Sequence, residues 1–130
     1  MILSFHYHIP AFIDNGIIIT NKAQGVFLDN LAHNVEKIIC FLHCPNNLQK
    51  ESMDYEIKSK NISLINIGLH RKVYTRLLFN KLYLRSFNKF NFKIDALIIR
   101  YPTPLFVSFH AARKEIAKIV LVVGDPDAEY

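Results

Sequence analysis

Ile119-Val120-Leu121-Val122-Val123 runs straight into Gly124-Asp125-Pro126, shortly before the chain reaches Tyr130. A mostly β-branched run closed by a turn tripeptide is the pattern of a strand buried on both faces, as at the centre of a parallel sheet. Such a sheet calls for another helix after its strand. The chain is therefore expected to be the front part of a larger α/β protein.

Working outward from that run, apolar clusters recur with changing period. Ile2 to Tyr7 reads as a first strand, followed by a long loop from Pro10 in which Ile17 to Thr20 forms an extended piece. From Gln24 the spacing turns helical, with Val26, Phe27, Asn30, Leu31 and Val35 at threes and fours and Gly25 near the helix start. Lys37 to His43 is a second strand, stopped by Pro45-Asn46-Asn47, and Gln49 to Lys60 is loop or weak helix. Ile62 to Ile67 is a third strand, Arg71 to Phe90 the longest helix, Asp95 to Arg100 a fourth strand, and Pro104 to Lys114 a helix before the final strand. Alternation of this kind predicts one Rossmann-like α/β domain over 1–130, with a mainly parallel sheet and flanking helices.

Composition bounds what such a domain does. An apolar fraction of 51% suits a substantial core. Cys40 and Cys44 lie in an apolar run without the spacing of a disulfide framework, which points to reduced thiols and a cytoplasmic location. Neither a signal peptide nor an apolar run of membrane-spanning length is visible.

The net charge of +5 is concentrated. Between Arg71 and Lys93 lie seven basic residues and no Asp or Glu. Lys72 and Arg76 are four apart, and Lys81, Arg85 and Lys89 continue at four, so on one helix they form a basic stripe beside an apolar, aromatic-rich face. That arrangement suits a helix resting on anionic lipid, with a solvated face as the plainer reading. Nucleic acid is not expected as a partner, since no nucleic-acid motif accompanies the charge.

In a parallel sheet, binding residues collect in the loops beyond the carboxyl ends of the strands. That rule selects His6, His8, Asn15 and Gly16 after the first strand, and His43 and Asn46 after the second. It adds Arg100, Tyr101 and Thr103 after the fourth and Asp125 after the fifth. Arg100 sits before the stiff turn Tyr101-Pro102-Thr103-Pro104, where its donor fork would grip a phosphate or a sugar hydroxyl, or instead pair with Asp125. Gly25 at a helix start would leave backbone N–H groups for a phosphate, or serve only as a turn residue. Asp125 would close a cleft or cap a following helix.

A different chemistry starts from His6 and His8, two apart and so on one strand face, as in metal-dependent hydrolases. Cys40, His43 and Cys44 lack the spacing of a zinc knuckle, and no metal is expected.

Three segments carry a family resemblance: Gly25-Val26-Phe27-Leu28-Asp29-Asn30-Leu31, Asp95-Ala96-Leu97-Ile98-Ile99-Arg100-Tyr101-Pro102-Thr103-Pro104, and Val122-Val123-Gly124-Asp125-Pro126. In that order they resemble the N-terminal domain of GT-B retaining glycosyltransferases that build bacterial cell-envelope glycans. The resemblance implies an acceptor-side half of an enzyme that moves a sugar from a nucleotide-sugar to a glycan or lipid-linked acceptor. It implies that the nucleotide-sugar is held by a second domain, in this chain's continuation or on a second polypeptide, and that this chain alone is inactive. The basic helix would suit such an enzyme in the cytoplasm, peripheral to the inner face of the plasma membrane, and the candidate acceptor contacts are Asn15, Gly16, Gly25, Arg100, Tyr101, Thr103, His110 and Asp125. His110 would correspond to a histidine beside the reacting sugar, although it lacks the acidic follower and falls within a helix. The alternative, from another class, is a non-catalytic basic module that docks on anionic membrane or a protein partner through Lys81, Arg85 and Lys89.

Overall fold

The computed structural model describes residues 1–123. β1 (Ile2–His6), β4 (Lys37–Cys44), β6 (Ile62–Leu69), β7 (Ala96–Tyr101) and β8 (Ala117–Val122) form one parallel sheet in the order β6-β4-β1-β7-β8. The chain starts in the middle, builds outward to β6, then crosses back to β7 on the other side of β1. This is the doubly wound Rossmann-like arrangement, with its switch point between β1 and β7.

Period-two alternation explains why both faces are covered. On β4, Ile38, Cys40 and Leu42 point into one core with Leu3, Phe5, Leu28 and Ile98, beneath α1 (Lys22–Ala32). Ile39 and Phe41 point into the other with Leu97, Ile99, Phe87 and Phe109, beneath α4 (Asn80–Lys89) and α5 (Phe106–Ala111).

The long loop expected after β1 is a hairpin, β2 (Ala11–Asp14) and β3 (Ile17–Thr20). Asn15 and Gly16 form its two-residue turn, both at positive φ (50° and 78°), as a type I′ turn requires. β5 (Tyr55–Glu56) adds to β3, and α2 (Asn47–Lys50) fills part of the segment expected as loop or weak helix. α1 begins at a capping residue, Asn21, whose side chain accepts from the Gln24 N–H at 2.9 Å.

Two expectations are corrected. The final strand lies at the edge of the sheet, next to β7 alone, and Ile119, Val120, Leu121 and Val122 are exposed among the described residues. β-Branched composition marks a strand but does not say whether it is central. The long helix expected from Arg71 to Phe90 is two helices, α3 (Val73–Leu78) and α4, broken at Phe79 with φ −105° and ψ 30°.

Candidate active-site cleft at the carboxyl edge of the sheet

Three neighbouring strands end in histidine. His70 follows β6, His43 lies near the end of β4 and His6 closes β1, so the rings form a row across the carboxyl edge. Ring centroids are 5.4 Å apart for His70 and His43 and 6.1 Å for His43 and His6. Thr103, in the loop after β7, extends the row across the switch point.

Hydrogen bonds hold His6 and His70 each in a defined tautomer. His6 donates from Nδ1 to the Phe41 carbonyl at 2.8 Å, because a carbonyl only accepts. Desolvation lowers its pKa to about 3, with the Phe41 bond opposing and the charges of His8 and Arg76 adding to the fall. The ring is therefore neutral, Nε2 is bare, and the Thr103 hydroxyl donates to it at 3.2 Å. The ring also stacks on Phe109 at 4.0 Å. At His70, Nδ1 lies 2.6 Å from Gln49 Nε2. The Gln49 amide is oriented by its own oxygen, which accepts from the Asn46 N–H, so the amide nitrogen donates and the ring proton sits on Nε2. Burial and the neighbouring Arg76 charge hold His70 and His8 below the ordinary value. His43 is fully buried and neither of its ring nitrogens has a hydrogen-bond partner.

Arg76 stands among these rings. It is the buried residue of α3, at 4% exposure, and its Nε and Nη1 atoms have no hydrogen-bond partner. Among the described residues no carboxylate forms an ion pair with it. Desolvation lowers its pKa. The expectation that Arg76 belongs to the exposed basic stripe is corrected here: once the helix breaks at Phe79, α3 turns its cation inward. Lys81, Arg85 and Lys89 lie exposed along α4, as their spacing predicts.

Arg76 borders two clefts. One, of about 390 Å³, runs between His8, Tyr101, Thr103 and Pro104. The other, of about 730 Å³, is lined by Asn46, Gln49, His70, Arg71, Lys72 and Thr75. A third, apolar groove of about 380 Å³ shares Leu69, Arg71 and Thr75 with the second and continues over Phe79, Leu82 and Tyr83. Together they encircle α3 at the edge where ligands of such sheets bind.

The remaining predicted site residues are dispersed. Tyr101 and Thr103 line the cleft beside Arg76. Arg100 points to the opposite face, its guanidinium 4.6 Å from the Phe27 ring centroid and 5.1 Å from that of Tyr7, a cation–π position. Asn15 and Gly16 form the exposed hairpin tip. The expectation of free N–H groups at Gly25 is corrected: its own N–H donates to the Asn21 carbonyl at 2.9 Å, and the Gln24 N–H is held by the Asn21 side chain. His110 is exposed in the last turn of α5, beside Phe106. Asp125 lies outside the described residues.

The metal alternative loses its first ligand, since both nitrogens of His6 are engaged. Among the described residues no group of three or more His, Cys, Asp or Glu side chains is placed to hold a metal ion. Fold and site thus define a Rossmann-like α/β domain with a basic, histidine-lined cleft at its carboxyl edge. No protein-family model, curated protein or solved structure matches the chain.

Proposed function

We propose that this chain is the acceptor-side domain of a GT-B glycosyltransferase, working at an anionic membrane surface on a lipid-linked acceptor. The observation that carries the reading is the inverted helix α3. It buries Arg76 and exposes Val73, Tyr74, Leu77 and Leu78, and the ridge continues through Phe79 to Leu82; Tyr74 is 73% exposed and Leu78 64%. A helix in water does the opposite, and apolar residues grouped in this way mark a docking surface. In sequence, Arg71 and Lys72 precede the ridge and Lys81 and Arg85 fall at its far end, with no acidic residue between Arg71 and Lys93. That charge favours anionic lipid as the occupant over a neutral protein surface.

The clefts around α3 support the acceptor assignment. An apolar groove suited to a hydrocarbon chain opens into a basic cleft and then into a polar one at the switch point, in the order tail, charged linkage, sugar. The nucleotide-sugar would belong to a second domain, and β8, with apolar residues exposed on both faces, offers a surface for such a partner.

Vesicle co-sedimentation tests the reading. The chain should pellet with phosphatidylcholine vesicles containing a quarter phosphatidylglycerol and remain in solution with phosphatidylcholine alone. Leu77→Ser with Leu78→Ser should abolish pelleting, and Lys81→Glu, Arg85→Glu and Lys89→Glu together should weaken it at low salt. Vesicles doped with a polyprenyl-phosphate-linked sugar should retain the chain more strongly than undoped ones. Equal retention would remove the acceptor reading, and no retention on anionic vesicles would remove the membrane reading as well.

A further inference from the structure

The feature that membrane docking leaves unexplained is the charge inside α3. Burying a guanidinium without a counter-charge is costly, and buried cations are ordinarily paired. Arg76 has two buried, unpartnered nitrogens, yet it sits on the border of two clefts large enough for a small ligand. His43 beside it is buried with both ring nitrogens unpartnered. The Arg76 nitrogens are thus orphaned donors on a residue that borders a space, with no protein acceptor.

The lining tells what charge the space is built for. Arg71, Lys72 and Arg76 contribute three cations to the larger cleft, with Gln49, His70 and Thr75 as further polar groups, and no carboxylate borders it. A carboxylate would use two oxygens and one charge. A phosphate brings a charge approaching −2 and three acceptor oxygens, and a guanidinium fork matches its geometry.

We propose that the cleft between Arg76, Arg71, Lys72 and His70 is a phosphate-binding site, with the Arg76 guanidinium as its inner anchor. The site deepens the acceptor reading, since this is the cleft given there to the charged linkage, but its inner anchor, Arg76, lies on the buried side of α3 whereas docking on lipid uses the exposed Leu77 and Leu78. A phosphate could arrive free in solution or as a lipid headgroup, and the two sources are separable.

The test uses the whole chain, Arg76→Met, and Arg71→Ala with Lys72→Ala. Thermal unfolding and calorimetry are run with inorganic phosphate, pyrophosphate and citrate at matched ionic strength. Pyrophosphate should raise the wild-type melting temperature and citrate should not. The double variant should bind pyrophosphate at least about tenfold more weakly, and Arg76→Met should show no rise. In the vesicle arm, wild type should be retained on phosphatidic acid beyond its retention on phosphatidylglycerol at equal surface charge, and Arg76→Met should lose that excess. Dependence on Arg76 in the vesicle arm alone identifies a headgroup as the source and supports the site. Equal response to citrate, or no dependence on Arg76 in either arm, overturns it. If Arg76→Met does not fold, the double variant decides, and unchanged pyrophosphate affinity overturns the site. Docking through Leu77 and Leu78 is read on phosphatidylglycerol vesicles, so either proposal can fail without the other.

Discussion

The Thr103 hydroxyl donates to His6 Nε2 at 3.2 Å, joining the last residue of β1 to the loop after β7 across 97 positions of sequence. The bond closes the switch point, and the Phe41 carbonyl on the other side of the ring fixes which nitrogen accepts it. Thr103→Val keeps the shape and removes the donor, leaving a buried acceptor unpaired. A loss of about 1–3 kcal/mol is expected, measured by denaturant unfolding with unchanged slope. Thr103→Ser should recover most of it.

Acid should unfold this domain earlier than its carboxylates alone would suggest. His6 and His43 are buried, and desolvation, reinforced by neighbouring positive charges, lowers their pKa values from 6.5 to about 3 and about 2. Folded values below the unfolded ones mean that the unfolded chain binds more protons as pH falls below 6.5. Stability is therefore full above that value and declines as pH falls toward 3. Between pH 7 and 5 each ring should cost about 2 kcal/mol. His43→Phe removes one titrating group whose nitrogens have no partners. It should hold or raise stability at pH 7 and roughly halve the decline toward pH 5, read from chemical denaturation at each pH.

With no membrane present, the ridge of α3 and α4 faces water. Leu78 and Leu82, at 64% and 63% exposure, are then free to meet the same ridge on another copy when the protein is concentrated. Sedimentation velocity should show concentration-dependent association of the wild type, relieved by Leu77→Ser with Leu78→Ser. Because these side chains are exposed, the same changes should alter folding stability by no more than about 0.5 kcal/mol. A wild type that stays monomeric at high concentration would count against the ridge as a docking surface.

The order of strands and helices was legible because period-two and helical spacings follow directly from local geometry. The hairpin is missed: Asn15-Gly16 is the strongest short-range hairpin signal, yet the segment reads as a loop with one extended piece and the pair as binding residues. The carboxyl-edge rule reaches His6, His8, His43 and Thr103. It misses His70 because Gly68, at φ 134°, looks like the end of a strand that in fact continues to Leu69. Arg76 was not legible as a site residue. Its spacing from Lys72 places both on one face of an unbroken helix, and only the break at Phe79 and the packing against the histidine row turn it inward. The edge position of β8 was likewise hidden, since apolar composition records what a strand can bury and not which neighbours it has.

Gly25 shows how a glycine that resembles a phosphate-binding turn serves packing instead. A Cβ built there would lie 2.0 Å from Tyr55 Cδ1, so the ring crosses α1 at the one position without a side chain. The crossing lets Tyr55 donate to Asp29 Oδ2 at 2.6 Å, and the same carboxylate accepts from the Ser59 and Lys58 N–H groups, tying β5 and its following turn to α1. Gly25→Ala must push the ring aside and break that bond, at an expected cost of about 2–3 kcal/mol, despite alanine's better helix propensity. In a Tyr55→Ala background the clash is gone, and the same substitution should be neutral or stabilising by up to about 1 kcal/mol. A cycle of the four proteins by urea denaturation measures the coupling. Pyrophosphate affinity should be equal in wild type and Gly25→Ala, because the helix start lies on the face of the sheet opposite Arg76.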